Sequence, residues 1–161
     1  MISGTMCFLK GYEHTLFIYR NRGKNDIHQG YYVPPGGHLE RGERSIDNIL
    51  REFREETGLI LLDPRLRAIV TFYNKGRILG GQKDPEDWRV DVYDAHSFKG
   101  KWKKEDKRDK LVWIENSKIP RLKMYDGDKK LFELLEQQGV FEVIIKYSKE
   151  KLAKFDWKRV N

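Results

Sequence analysis

Cysteine and proline are both scarce in this sequence, and long apolar runs are missing. Cys7 is the single cysteine among 161 residues, so an internal disulfide and a disulfide-stabilised secreted fold are excluded. The apolar runs stay far below the ~18 residues that a membrane span needs, and no basic-then-apolar signal segment is apparent. We therefore expect a cytoplasmic protein without a membrane partner, and we interpret Cys7 as a buried small hydrophobic residue.

Acidic residues are outnumbered by basic ones, with 25 Asp and Glu against 32 Lys and Arg and a net charge of +7. The excess lies in residues 99–161, which hold 18 basic and 11 acidic side chains. Three interpretations stay open: a nucleic-acid surface, a field that steers an anionic nucleotide, or a lysine-rich solvated surface. We favour the last two, so nucleic acid is not expected as a partner.

The most informative segment begins at Gly37 and contains a helix. The residues Ser45–Thr57 suit a helix because Ser45 is a candidate N-cap and Asp47 favours the first turn. Gly58 stands where a left-handed residue ends many helices. The apolar residues of the segment cluster on one arc, which predicts that this helix packs against the core.

Three glutamates of this helix, Glu52, Glu55 and Glu56, fall within about a 100° arc at 100° per residue. Carboxylates so close together repel one another unless a cation lies between them. Oxygen-only ligands are typical of hard divalent ions, most simply Mg²⁺. The alternative is an ordinary amphipathic helix with a solvated acidic face, but such a helix would not require Gly37 and Gly58 at fixed offsets.

The same positions match a known motif. The segment resembles the Nudix box: a glycine, five residues, a glutamate, seven residues, then Arg-Glu-apolar-x-Glu-Glu-x-Gly-apolar. Every fixed position of the motif is filled, by Gly37, Glu43, Arg51, Glu52, Phe53, Glu55, Glu56, Gly58 and Leu59. The chain is thus similar to Nudix hydrolases, and a looser likeness extends over most of residues 4–160.

The resemblance implies an α/β fold, the Nudix α/β/α sandwich with a mixed β-sheet, formed by residues 1–161 as one domain. The residue pattern also favours a mixed α/β unit. Thr5–Lys10 and Thr15–Arg20 are predicted to pair as a hairpin, and a second helix is predicted at Asp126–Gln138. Further predicted strands are Leu59–Leu62, Leu66–Tyr73, Trp88–Phe98, Leu111–Glu115, Phe141–Tyr147 and Leu152–Val160, the last two as a closing hairpin.

For catalysis, the resemblance implies Mg²⁺ as the cofactor, with Mn²⁺ as a substitute. The candidate metal ligands in the box are Gly36 through its backbone carbonyl, Glu52, Glu55 and Glu56. Either Glu52 or Glu56 would act as the general base, and the choice between them stays open. Arg51 would orient a box glutamate, while Glu43 would fix the loop that enters the helix.

A further metal ligand is expected from the loop before the strand that contains Trp113. Nudix enzymes often add a carboxylate there, but the ungapped position falls on Arg108. A shift of one residue gives Asp109, with Glu105 as the second candidate and Asp106 also in the loop. The alternative is that all three carboxylates are solvated.

Residues 119–128 and the final hairpin resemble the MutT-type branch, whose members sanitise nucleotide pools. The candidate substrate-binding residues are Arg20, Gly37 and His38 for the phosphates, and Tyr125, Asp126 and Asp128 for the base. A turn that caps the second helix is an equally open interpretation of the Tyr-Asp-Gly-Asp segment, and solvent exposure is the alternative for Arg20.

The remaining candidate side chains carry less information. His14, His28 and His96 show no metal-ligand spacing with cysteine or with one another, so each is expected at the surface or in a loop. Trp88 is expected in a strand, where it could border the pocket.

The predicted function is that of a Mg²⁺-dependent nucleoside triphosphate pyrophosphohydrolase, which converts a triphosphate to the monophosphate and pyrophosphate. Oxidised purine nucleotides such as 8-oxo-dGTP are the preferred substrates, and their hydrolysis would protect DNA. The alternatives are a hydrolase of another nucleoside diphosphate derivative such as ADP-ribose, and a non-catalytic Nudix module that binds nucleotide or RNA. Monomer and homodimer both stay open.

Overall fold

The computed structural model describes residues 1–83, 85–103 and 108–161, and strands make up most of it. The strands are β1 (Ile2–Leu9), β2 (His14–Arg20), β3 (Tyr32–Val33), β4 (Gly36–His38), β5 (Leu59–Leu62), β6 (Arg65–Tyr73), β7 (Ile78–Leu79), β8 (Gln82–Lys83), β9 (Trp88–Ala95), β10 (Ser97–Gly100), β11 (Asp109–Glu115), β12 (Phe141–Ser148) and β13 (Lys151–Arg159). The helices are α1 (Ser45–Thr57), α2 (Asp126–Leu134) and a 3-10 helix at Asn116–Arg121. In the described ranges, no helix combines the length and apolarity that crossing a bilayer requires.

A mixed six-stranded sheet in the order β13-β12-β6-β9-β1-β4 forms the centre of the fold. The pairs β12–β6 and β1–β9 are parallel, while the other neighbours in this sheet are antiparallel. A smaller antiparallel sheet has the order β11-β2-β3, and β10–β5 and β7–β8 form two-stranded ribbons. The prediction of a mixed α/β fold is therefore confirmed.

The hydrophobic core is divided between the two faces of the large sheet. On β1, Phe8 packs into a cluster that includes Leu131 of α2, whereas its neighbour Cys7 packs into a second cluster with Phe53 of α1. Successive residues of a strand point to opposite faces, so a strand that is apolar at every position needs cover on both sides. The two helices supply that cover, which gives the sandwich. Cys7 is fully buried, as expected.

The predicted hairpin near the N-terminus is wrong. Both strands form, but β1 pairs with β9 and β4, while β2 pairs with β11 and β3. The two strands are connected only by an isolated bridge between Lys10 and Thr15. The physical reason is that β1 is buried from Gly4 to Leu9, so its backbone N–H and C=O groups need partners on both edges, and β4 and β9 supply them.

Helix α1 has the predicted bounds but not the predicted N-cap. Arg44 occupies the N-cap position and makes no side-chain capping bond, whereas Ser45 Oγ lies 2.9 Å from Tyr93 Oη. A tertiary partner has thus replaced the local one. At the other end, Gly58 adopts a left-handed conformation with φ of 80°, and its N–H donates to Arg54 O at 2.8 Å, as predicted.

Two further boundaries differ from the prediction. Helix α2 ends at Leu134 rather than Gln138: the N–H groups of Glu136 and Gln137 donate to carbonyls three residues earlier, and the Arg67 guanidinium binds the carbonyls of Leu135, Gln137 and Gly139 that follow the helix. The strand predicted at residues 88–98 divides at residue 96 into β9 and β10, which pair with different partners. The closing hairpin of β12 and β13 forms as predicted.

Candidate functional site

Two glycines of β4 bring the backbone against a carboxylate of α1. A Cβ atom built on Gly36 would lie 2.0 Å from Thr5 O, because β4 runs directly beside β1. A Cβ atom on Gly37 would lie 2.3 Å from Glu52 Cδ. Neither position has space for a side chain. The Gly-Gly pair therefore allows Glu52 to approach the backbone closely.

Glu56 is the most deeply buried carboxylate of α1 at this site. Its Oε1 atom accepts a hydrogen bond of 2.9 Å from the Gly36 N–H, and it forms no ion pair with any residue that the structure describes. Burial raises the pKa of Glu56 to about 7. Burial also raises the pKa of Glu52, although less, since Arg51 stabilises its charged form. The box thus holds two carboxylates that are costly to ionise without a cation.

Arg51 connects the other carboxylates of the box. Its Nε atom donates to Glu43 Oε2 at 2.7 Å, and its Nη1 atom donates to Glu52 Oε1 at 2.9 Å and to Glu55 Oε2 at 3.2 Å. The hydrogen bonds from Arg51 and Asn48 lower the pKa of Glu43 to about 2, and Glu43 in turn raises the pKa of Arg51. Arg51 therefore fixes the orientation of Glu52 at the cavity wall.

Glu43 and Asn48 fix the loop that leads from β4 into α1. Asn48 is fully buried, and its Nδ2 atom donates to Glu43 Oε1 and to His38 O, both at 2.8 Å. Thr5 Oγ1 donates to Asn48 Oδ1, and Glu43 Oε1 also accepts from the Glu40 N–H at 3.1 Å. The arrangement ties helix, loop and β1 together. It explains why a glutamate stands at position 43.

A cavity of about 540 Å³ extends from these carboxylates across the sheet. We call Gly36, Gly37, Glu52 and Glu56 its carboxylate end, and His28, Arg77, Tyr125, Asp128 and Tyr147 its aromatic end. Ring contacts connect the two ends: His38 lies 6.2 Å from Trp88, and Trp88 lies 6.4 Å from His28, between ring centroids. The cavity is thus long enough to place different parts of one ligand in chemically different surroundings.

The predicted phosphate and loop residues have partners of their own. Arg20 lines the cavity, but its guanidinium forms two hydrogen bonds of 3.0 and 2.9 Å with the Asp26 carboxylate. Asp109 accepts hydrogen bonds from Arg22, at 2.9 Å for the closest Nε contact, and does not line the described part of the cavity. Asp109 acts electrostatically on Glu56, and its role as a metal ligand stays a prediction. Glu105 and Asp106 lie outside the described residues.

The predicted base-binding residues separate in the structure. Tyr125 and Asp128 line the cavity, whereas Asp126 begins α2 with an exposed side chain and does not line it. One face of Tyr125 is already stacked on Tyr31, with ring centroids 4.3 Å apart and planes 7° apart. The Tyr125 hydroxyl lies 2.8 Å from His28 Nδ1. Tyr125 therefore forms a wall that the neighbouring loop holds in place.

Several residues that line the cavity were not predicted from the sequence to do so. His28, which we expected at the surface or in a loop, lies in the loop between β2 and β3, where it contacts Tyr125, and burial lowers its pKa to about 4. Arg77 and Tyr147 were not considered, although the alternation of apolar residues along β12 indicated that Tyr147 would be buried. Nothing in the local sequence distinguishes Arg77 from a solvated loop arginine. Trp88 borders the cavity, as predicted.

Comparison with known proteins decides the family. The family model of the NUDIX domain matches residues 3–135. The chain belongs to the Nudix family. It is 30% identical over 147 residues to the uncharacterized Nudix hydrolase YvcI of Bacillus subtilis (strain 168), and this alignment covers 91% of the chain and 87% of YvcI. The protein is accordingly a Nudix hydrolase that acts on nucleotide diphosphate linkages.

Solved Nudix structures share its fold. The MutT protein from Bacillus halodurans superposes with a TM-score of 0.81 at 23% identity, covering 98% of this chain and 97% of that one. The NUDIX domain of Shewanella oneidensis NrtR, solved in complex with ADP ribose, superposes with a TM-score of 0.67 at 15% identity, with coverages of 84% and 86%. At these identities the likeness shows the Nudix fold alone.

Nudix hydrolases generally use divalent metal ions, and the donors at the carboxylate end fit such an ion chemically. Glu52 and Glu56 present oxygens beside the Gly36–Gly37 backbone, and the Glu56 carboxylate forms no ion pair with any described residue. As they stand, however, no three carboxylate, imidazole or thiol groups of the described residues are arranged to hold an ion. Glu55, 57% exposed, points to Arg51 instead.

Proposed function

We propose that this Nudix hydrolase cleaves nucleoside triphosphates to the monophosphate and pyrophosphate with Mg²⁺ as cofactor, and that oxidised purine nucleotides such as 8-oxo-dGTP are its substrates. The observation that carries the proposal is that one cavity has two chemically different ends. The carboxylate end suits metal-bound phosphates, and the aromatic end offers rings and buried polar groups that suit a purine. Such an enzyme would protect DNA by acting on the free nucleotide pool of the cytoplasm.

The residues of the carboxylate end have distinct roles in this proposal. Glu52, Glu55 and Glu56 would hold Mg²⁺, which when bound neutralises phosphate charge and lowers the pKa of a bound water. Because Oε1 of Glu56 accepts the Gly36 N–H, Oε2 is the oxygen that remains for the ion and for the proton of a water beside it. Glu56 is therefore the proposed general base, with Arg51 as the residue that positions Glu52.

The aromatic end supports a purine as the ligand. Trp88 lies between the two ends and contributes an aromatic surface on which a base can stack. Asp128 is buried, lines the same cavity and can accept or donate a hydrogen bond at the base edge. Tyr147 comes from β12, beyond residue 135 where the family match ends. We therefore propose that residues 1–161 act as one domain, with the closing hairpin as part of the site.

The test is a panel of nucleotides with release of pyrophosphate or phosphate measured in the presence and absence of Mg²⁺. The panel contains 8-oxo-dGTP, dGTP, ATP, ADP-ribose and a nucleotide sugar, with the Glu56→Gln variant as a control for contaminating activity. We expect Mg²⁺-dependent formation of monophosphate and pyrophosphate, with kcat/KM highest for 8-oxo-dGTP. A more than tenfold preference for ADP-ribose or the nucleotide sugar would overturn the substrate assignment and leave a hydrolase of nucleoside diphosphate derivatives.

A non-catalytic nucleotide- or RNA-binding module is disfavoured because Glu43, Arg51, Glu52, Glu55 and Glu56 are all retained. Binding of RNA in a gel-shift assay that survives moderate salt, combined with no hydrolysis of any nucleotide, would favour that alternative. Light scattering at several concentrations separates the monomer from the homodimer.

A further inference from the structure

Arg77 is a buried cation in the cavity for which the proposed chemistry has no role. Only 4% of the residue is exposed, and its guanidinium lies 3.8 Å from the ring centroid of Tyr147 and 5.4 Å from that of Tyr125. Its Nη1 atom donates to Asn74 Oδ1 at 3.0 Å, and among the described residues it has no ion-pair partner. No nitrogen of Arg77 is both inaccessible and without a hydrogen-bond partner. Because Arg77 lines the cavity, its remaining donors open onto it.

The turn that carries Arg77 is fixed from two sides. Asn74 is fully buried, its N–H donates to Asp87 Oδ1 at 2.7 Å, and its Nδ2 atom donates to Glu86 O at 2.8 Å. On the other side, the Ile78 N–H donates to Lys149 O at 2.8 Å. A guanidinium held by a buried amide and stacked on a tyrosine loses little further freedom when it binds a ligand. Arg77 is therefore preorganised.

Asp128 is the opposite charge in the same end of the cavity. It is 8% exposed, and its carboxylate forms no hydrogen bond or ion pair with any described residue. Arg77 is the charged side chain that acts on it, yet the two are not close enough to form an ion pair. Burying a guanidinium without an ion-pair partner and a carboxyl group without a hydrogen-bond partner is costly. A ligand that offers a hydrogen-bond acceptor to Arg77 and a hydrogen-bond donor to Asp128 would stabilise both buried side chains.

A purine edge with a carbonyl beside an N–H meets both requirements. Guanine and hypoxanthine present the C6 carbonyl next to N1–H, whereas adenine presents an amino group next to an unprotonated N1. An adenine in the same orientation would direct its amino donors at the guanidinium donors of Arg77. It would also direct the lone pair of N1 at the carboxylate of Asp128.

From this geometry we infer that Arg77 is a specificity-determining residue, which together with Asp128 selects 6-oxopurine nucleotides against 6-aminopurine nucleotides. The inference deepens the proposed function and rests on it, since it assumes that the base occupies the aromatic end. A site built to hydrogen-bond a polar group discriminates strongly against an analogue that leaves its own buried groups unpaired. Selection at the C6 position follows from this.

The test compares kcat/KM for 8-oxo-dGTP and 8-oxo-dATP, which share the C8 carbonyl, and for 8-oxo-dITP, which differs from 8-oxo-dATP only in the C6 substituent and the proton on N1. For the wild-type protein we expect both 6-oxopurines to be preferred over 8-oxo-dATP by about 100-fold. Arg77→Met should lower this preference at least tenfold, through slower turnover of the 6-oxopurines. Arg77→Lys keeps the charge without the planar guanidinium and should give an intermediate ratio.

Arg89→Met is the matched control, because Arg89 is exposed on the strand that carries Trp88 but does not line the cavity. It should leave the ratio unchanged. If Arg77→Met does not fold, Arg77→Lys and the wild-type 8-oxo-dITP to 8-oxo-dATP ratio decide the question. An Arg77 variant with an unchanged ratio, or a wild-type protein that does not discriminate at C6, would overturn the inference.

The inference and the proposed function can fail separately. If the panel identifies ADP-ribose as the substrate, the triphosphate proposal fails, and the same comparison is made between ADP-ribose and inosine diphosphate ribose. A preference for the inosine compound that Arg77→Met abolishes would uphold the inference, while a preference for ADP-ribose would overturn it.

Discussion

The two ends of the cavity treat buried charge in opposite ways. At the carboxylate end, the single guanidinium of Arg51 makes ion pairs with Glu43, Glu52 and Glu55 of the same short segment, which offset part of their negative charge. At the aromatic end, Arg77 and Asp128 come from distant segments and remain unpaired in the described structure. The first arrangement fixes side chains for chemistry, whereas the second leaves binding capacity for a ligand.

This difference assigns the two ends different jobs. A network of paired charges is rigid and tolerates little rearrangement, which suits the positioning of a metal ion and a water molecule. Buried groups without partners are destabilising until a ligand supplies them, which couples their burial to recognition. Glu56 is the exception at the carboxylate end, since it is buried and forms no ion pair with any described residue.

The largest effect is expected for Glu56→Gln, which should lower turnover far more than nucleotide affinity. Removing the charge should lower kcat/KM about 10³-fold, because the proposed base and metal ligand is lost. The amide keeps an oxygen for the Gly36 N–H, and the buried charge disappears, so the melting temperature without metal should be unchanged or higher. Steady-state kinetics and thermal unfolding measure the two quantities, and nucleotide affinity should fall far less than turnover.

The exposed Glu150→Gln, in the turn between β12 and β13, is the control and should behave as wild type. Near wild-type turnover in Glu56→Gln would show that the carboxylate end is not the catalytic end and would remove the basis of the comparison.

A second prediction contrasts the two glycines of β4. In Gly37→Ala the new methyl group meets the end of a flexible side chain, so Glu52 should be displaced and kcat/KM should fall about 10- to 100-fold with little change in stability. In Gly36→Ala the methyl group meets the backbone of β1, which cannot give way, so the protein should lose stability as well. Kinetics and denaturant unfolding of both variants measure the contrast. Equal loss of stability in the two would show that Gly37 serves the fold rather than Glu52.

The carboxylate end could be predicted from the sequence because its side chains come from one segment at fixed spacing. Glu52 and Glu56 lie at the cavity, and Gly37 is confined by Glu52, as the motif implied. The mixed α/β fold could also be predicted, since the periods of apolar residues in helices and strands are local properties.

The aromatic end could not be predicted in the same way, because its residues meet only through the tertiary fold. Arg77 stands in a polar turn and is buried only because Asn74 and Tyr147 hold it there. Tertiary partners also explain the wrong predictions at helix termini, where Tyr93 engages Ser45 and Arg67 takes the carbonyls beyond α2. Local patterns do not contain these long-range contacts.

The smallest expected effect tests whether Asp128 is as costly to ionise as its unpaired state implies. Burial raises the pKa of Asp128 to about 7 from the usual 3.8, so between these values the native protein holds a proton that the unfolded chain has released. The free energy of unfolding should therefore fall as the pH rises from about 4 to about 7 and then level off. Asp128→Asn should flatten this decline. The Tm of the variant should exceed that of the wild type by about 5 °C at pH 8 and equal it near pH 4. Asp126→Asn, an exposed neighbour on the same helix, is the control. Parallel Tm profiles for wild type and Asp128→Asn in metal-free buffer would mean that Asp128 is already satisfied, and the contrast between the two ends would then hold for Arg77 alone.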